Sequence, residues 1–235
     1  MSFLRNFAAV EFGLTASPPF LSMYINGCGQ GLHNDSGNGR LGFVFSLTKW
    51  NERHFEGGET IIHKFDSDWK EAQFRHVAGT AFYHTVEPEF NRMILFDDRL
   101  PHAVRPIQGT MNPLDARFVI HGHMEEPEGL AFIEGGLQKS DVRQQWEQMK
   151  EAGRSFRSSG YHGFVTFETI VDVSGRAQTS MKHAQLLPTS REPARELSSC
   201  LTNVIEVLSR IEWPTSNASS KLVYALCSDS LNIAP

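Results

Sequence analysis

Leu21–Asp35 reads LSMYINGCGQGLHND and closes on the triplet His33-Asn34-Asp35. In extended backbone successive side chains alternate faces, so His33 and Asp35 point the same way and Asn34 the other. One imidazole and one carboxylate side by side are two of the three protein ligands of a 2-His-1-carboxylate facial triad. That triad holds a non-haem Fe(II) and leaves coordination positions open. Such a site needs a second histidine from a distant strand and a cation to hold a cosubstrate. His102, in Asp98-Arg99-Leu100-Pro101-His102 at the head of another strand, is the expected third ligand. His54, His63, His76, His84, His121 and His123 mostly alternate with apolar residues and read as ordinary barrel positions.

Outward from this stretch, turn signals punctuate a series of short strands. Phe20–Ile25 reads as a strand, with glycines at 27, 29 and 31 loosening the approach to His33. Ser36-Gly37-Asn38-Gly39 is a turn, and Arg40 opens Leu41–Thr48, apolar on both faces and therefore buried. Glu56-Gly57-Gly58 turns into Glu59–Phe65, and Asp66–Gly79 is polar, irregular and partly helical. Thr80–Val86, Arg92–Phe96, His102–Ile107 and Arg117–Met124 follow as strands. This spacing predicts a mainly β sandwich or jelly roll.

After Glu125-Glu126-Pro127 the pattern changes. Lys139–Glu151 is polar and helical, with Ser140 as an N-cap. Phe164–Val173 and Arg176–His183 read as a hairpin around Ser174-Gly175. Residues 191–210 carry apolar residues at helical spacing, Trp213-Pro214 ends that helix, and Lys221–Cys227 is a last strand. The expected layout is a β domain over 1–126, a helical linker over 127–160 and a small α+β (β-β-α-β) C-terminal domain over 161–235.

The chain of 235 residues has 21% charged residues and a formal net charge of -5, so no basic field points to nucleic acid or an anionic membrane. Cys28, Cys200 and Cys227 are too scattered for a disulfide framework or zinc knuckle and suit a reducing compartment. With no signal-peptide pattern and no long apolar run, a cytoplasmic protein is expected.

The ordered blocks H-N-D, Arg40 before a buried strand, G-G-E-T, N-R-M-I-L-F-D-D, H-A-V-R-P-I and an arginine-led strand resemble the Fe(II)/2-oxoglutarate-dependent dioxygenases. Residues 20–124 are most similar to the prolyl-4-hydroxylase-like branch. The resemblance implies a double-stranded β-helix (jelly-roll) core and a hydroxylase using Fe(II) and 2-oxoglutarate, with ascorbate as a supporting reductant. It implies His33, Asp35 and His102 as metal ligands and a peptide, protein or small-molecule substrate. For the far carboxylate of 2-oxoglutarate, Arg117 fits, since a guanidinium pairs bidentately with a carboxylate. Arg105 is the competitor, but its odd offset from His102 turns it away from the metal. Tyr24 matches the position where relatives donate a hydroxyl to that carboxylate.

The chain departs from its relatives in three ways. Val119 stands where relatives often carry a serine, the loop from His102 to Arg117 is long, and little chain precedes the first strand. A carboxylate at position 35 leaves no open site for halide and favours hydroxylation. The stretch 160–230 faintly resembles TonB-type C-terminal domains, through VDVSGRA, Cys200 and Trp213-Pro214, which implies a protein-binding module. The alternative to an enzyme is a non-catalytic jelly-roll scaffold with that module.

Overall fold

The computed structural model describes residues 2–63, 83–157, 161–188 and 197–228. The chain folds as two compact units, Ser17–Met124 and Met1–Ala16 together with Glu125–Pro235. It opens with helix α1 (Ser2–Phe7), a π-helical turn (Ala8–Phe12) and the short strand β1 (Thr15–Ala16). The predicted irregular segment Asp66–Gly79 lies outside the described residues.

The Ser17–Met124 unit is built from β2 (Phe20–Tyr24), β3 (Gln30–His33), β4 (Leu41–Ser46), β5 (Thr60–His63), β6 (Tyr83–Val86), β7 (Met93–Asp97), β8 (His102–Val104) and β9 (Arg117–Glu125). One sheet orders these strands β2–β9–β4–β7 and the other β3–β8–β5–β6, with every pairing antiparallel. The chain passes back and forth between the two sheets, so the strands that carry His33 and His102 become neighbours despite their separation in sequence. LGFVFS forms β4 because it lies between two strands and is covered on both faces, which its unbroken apolar run encodes. β3 is different: QGLH is an exposed edge strand with no alternation, and only its pairing to β8 makes it a strand.

In the other unit the sheet is β10 (Phe132–Gly135), β13 (Ser220–Cys227), β11 (Tyr161–Val171) and β12 (Ala177–Pro188), in that order. Two helices accompany it, α2 (Lys139–Arg157) and α3 (Leu197–Ser209). The expected layout is corrected here in two respects. Residues 127–160 do not form a separate linker: β10 pairs with β13, while Leu137, Val142 and Met149 share one core with Val165, Phe167, Leu208 and Leu222. The apolar positions 142, 149 and 152 of α2 recur at helical spacing, and this buried stripe ties a largely polar helix into the unit.

The first residues also belong to this unit rather than to the β domain. Thr166 donates its hydroxyl to Phe12 O at 2.7 Å and Lys182 reaches Val10 O at 2.7 Å. Gly13, at φ +66°, packs so closely on Tyr224 that a Cβ would lie 2.3 Å from its carbonyl carbon. The row Val165–Val171 faces the helical core as its apolar character suggests, but the opposite row is dry at Phe164 and Thr166. Among the described residues no helix is long and apolar enough to cross a membrane.

Candidate active site

β3 and β8 pair so that His33 and His102 are directly opposite one another, with ring centroids 4.3 Å apart. His33 Nδ1 is 2.7 Å from Gly31 O and His102 Nδ1 is 2.9 Å from Leu100 O. A carbonyl accepts only, so each Nδ1 carries the proton and each Nε2 is left with its lone pair. Asp35 Oδ2 lies 3.2 Å from His102 Nε2 and 3.8 Å from His33 Nε2. Asn38 donates to its other oxygen at 3.2 Å. Ligands at cis positions about a metal, each at roughly 2.1 Å, are separated by about 3 Å, close to the His102–Asp35 spacing. The three residues offer ligand atoms all within 4.8 Å of one another, a donor set that can hold a divalent metal.

Local structure delivers these side chains. Asp97 caps the turn before β8 through Arg99 N at 2.9 Å and grips the Arg99 guanidinium through Nε at 2.8 Å. Asp35 N donates to Asp98 O at 2.7 Å, which fixes the loop after β3 against that turn. His102 is buried, whereas the His33 and Asp35 side chains are 28% and 23% exposed, so solvent reaches the group from the β3 side.

A cavity of about 170 Å³ lies between the sheets, lined by Asp35, His102, Thr60, Tyr24, Arg117 and His121 among others. Arg117 is 1% exposed, yet Nε and Nη1 have no hydrogen-bond partner among the described residues; only Nη2 reaches Thr60 Oγ1, at 3.3 Å. Its guanidinium carbon sits 4.8 Å from the centre of the Tyr24 ring. Burial pushes the Arg117 pKa down, against Tyr24 and Glu59, which push it up. A buried cation with two orphaned donors is costly on its own and is matched to an anion that arrives later. Gly58 makes room for it: a Cβ there would lie 3.1 Å from Arg117 Cδ. Arg105 is placed otherwise, 61% exposed and 3.6 Å from Glu59.

Several residues of this region escaped the sequence reading. His123 Nδ1 is 2.9 Å from Asp98 Oδ2, and Asp98 is fully buried beside Asp35. Burial pushes the Asp98 carboxyl up, against the hydrogen bond from His123. His121 and His123 line the same cavity as Arg117, although they read as ordinary barrel positions. The signal was available: counting by twos along β9 from Arg117 reaches Val119, His121 and His123.

An antiparallel β scaffold that presents two histidines and a carboxylate beside a buried arginine has the make-up of a non-haem metal oxygenase. Residues 19–125 match the profile of the 2OG-Fe(II) oxygenase superfamily. The superfamily uses Fe(II) and 2-oxoglutarate, and the His33, Asp35 and His102 donors suit such a metal. Among solved structures, a Pseudomonas putida prolyl-4-hydroxylase is similar at 20% identity over 47% of this chain, with a TM-score of 0.34. The chain spans 52% of that structure's length. The non-heme monooxygenase ThoJ, solved with Ni, is similar at 12% identity over 88% of this chain and 69% of its own, again with a TM-score of 0.34. Both likenesses are too loose to carry an argument. No curated protein sequence matches the chain. The match ends at residue 125 and lends nothing to the TonB-type resemblance of the C-terminal stretch.

Proposed function

We propose that the chain is an Fe(II)/2-oxoglutarate-dependent hydroxylase acting on an unactivated C–H bond of a peptide, protein or small molecule. The observation that carries this is that Asp35 and His102, two of the three grouped His33/Asp35/His102 donors, line one cavity with a buried Arg117 that lacks partners for two of its nitrogens among the described residues. The interleaved two-sheet topology supports reading the domain as a double-stranded β-helix. Bound Fe(II) and 2-oxoglutarate supply an O2-dependent oxidation in which one oxygen enters the substrate and the other enters 2-oxoglutarate, released as succinate and CO2.

The protein's own part is placement. His33 and His102 hold Nε2 toward one point because their Nδ1 atoms are tied to backbone carbonyls. Arg117 receives the far carboxylate through its two free donors, with Tyr24 against the guanidinium face. A cavity of about 170 Å³ has room for little beyond a five-carbon diacid, so the substrate approaches from the exposed β3 side. The free cysteines among the described residues suit a cytoplasmic setting, and the C-terminal unit is available to a protein partner.

Succinate release from 2-oxoglutarate, measured with Fe(II), O2 and ascorbate, tests the reading. Release that is abolished by chelation and by His102→Ala supports it. Absence of release in the presence of a metabolite and peptide extract, with no product heavier by one oxygen, favours a scaffold.

A further inference from the structure

Arg117, Val119, His121 and His123 form one face of β9, and all four line the cavity. A diacid gripped by Arg117 at one end and by the metal at the other must run along this face. Val119 offers it no hydrogen bond. The next polar group along the row is His121, whose charge interactions extend to both Arg117 and Asp35.

The His121 ring is held by β2. Phe20 pairs in register with His121 and packs on it at 5.8 Å between centroids. Ser22, the register partner of Val119, places its hydroxyl 2.7 Å from His121 Nε2. A hydroxyl can donate or accept, so either neutral tautomer is satisfied at Nε2. Nδ1, on the other side of the ring, makes no hydrogen bond among the described residues and is the nitrogen left for a ligand. Burial, helped by His123 and Arg117, lowers the pKa of this imidazole and favours its neutral, hydrogen-bonding form.

We propose that His121, positioned by Ser22 and backed by Phe20, is a cosubstrate contact that hydrogen-bonds an oxygen at the metal-proximal end of 2-oxoglutarate. The inference rests on the function proposed above. It makes Ser22 a positioning residue that acts on the cosubstrate through the His121 ring.

The test is calorimetric binding of 2-oxoglutarate to the full-length protein loaded with Mn(II), without O2 chemistry. His121→Phe and Ser22→Ala are expected to weaken binding about five- to twentyfold, the size of one lost hydrogen bond in a dry site. Ser22→Thr, which keeps the hydroxyl, restores wild-type affinity, and His121→Gln falls between. Mn(II) affinity without 2-oxoglutarate stays unchanged in all four variants, which separates a cosubstrate contact from general damage to the site. Wild-type affinity in His121→Phe and Ser22→Ala overturns the inference, as does a Ser22→Thr protein as weak as Ser22→Ala. Failure of the wild-type Mn(II) protein to bind 2-oxoglutarate overturns the functional reading and this inference together.

Discussion

His33 and His102 face each other across a single antiparallel pairing, and each ties its Nδ1 to the carbonyl two residues upstream, Gly31 O at 2.7 Å and Leu100 O at 2.9 Å. The two rings, inclined at 56° to one another, are thus held by the same local device, and Asp35 Oδ2 lies 3.8 Å from His33 Nε2 and 3.2 Å from His102 Nε2. Replacing His102 with alanine removes the best-buried donor. Mn(II) or Fe(II) affinity, measured by calorimetry, should fall at least about a hundredfold, more than the loss of a supporting hydrogen bond would cause. Unchanged metal affinity would place the metal elsewhere.

Arg117 should separate stability from function. With two buried nitrogens unpartnered in the absence of cosubstrate, Arg117→Met removes a desolvated charge and is expected to leave the ligand-free Tm equal or higher. The same change should weaken 2-oxoglutarate binding by about 2–5 kcal/mol, because the diacid's far carboxylate is then buried without a partner. Arg105→Ala should alter that affinity by less than about twofold, since Arg105 is exposed and makes only a long ion pair with Glu59. A Tm several degrees lower in Arg117→Met would instead mean that the guanidinium is satisfied in the resting protein.

Folding lowers the His121 pKa from its ordinary 6.5, chiefly by burial, with His123 and Arg117 acting in the same direction and Asp35 opposing. The folded state thus favours the neutral ring. This contribution to stability is complete above the ordinary pKa and is lost as pH falls through the lowered one. Thermal unfolding of the metal-free protein at about pH 7.5 and pH 5.5 should show a larger acid-induced drop in wild type than in His121→Phe. Equal drops would place the acid sensitivity on other groups.

The unit formed by the two ends of the chain should unfold as one. Phe167 is fully buried in its core, and Phe167→Ala should cost about 3–5 kcal/mol in denaturant unfolding. Gly13→Ala should cost more than about 1 kcal/mol, since it combines a positive φ with a Cβ set against the Tyr224 backbone. A truncation at residue 161, placed where the sequence suggests a domain edge, removes β11 and β13 from beside Leu137, Val142 and Met149. That fragment should be insoluble in a sedimentation assay; a monodisperse fragment would show that β10 and α2 need no sheet.

Local patterns carried much of the β domain. β4 was legible because burial on both faces writes an unbroken apolar run, and β9 because the arginine-led run Arg117–Met124 is set off by the turn-rich stretch before it and by Glu125-Glu126-Pro127 after it. The edge strand β3 was not, because its four residues, three of them exposed, owe their conformation to a partner some seventy positions away. For the same reason β10, with two exposed residues and a glycine, reads as loop until β13 is beside it. At the site, H-x-D parity brought out His33 and Asp35, and the exposed ion pair of Arg105 agrees with the parity argument that set it apart from Arg117. That argument, continued two residues at a time along β9, would also have reached His121. Asp98 was hidden, since burial of a carboxylate against glycines 39 and 42 leaves no mark in the local sequence.

The most direct test of the central claim is an anomalous-scattering map at the iron edge, from crystals grown without O2 in the presence of Fe(II) and 2-oxoglutarate. The account predicts one metal peak about 2.0–2.2 Å from His33 Nε2, His102 Nε2 and an Asp35 carboxylate oxygen, with the far carboxylate of 2-oxoglutarate on Arg117. A metal peak away from those three residues, or a diacid anchored on Arg105, would contradict it.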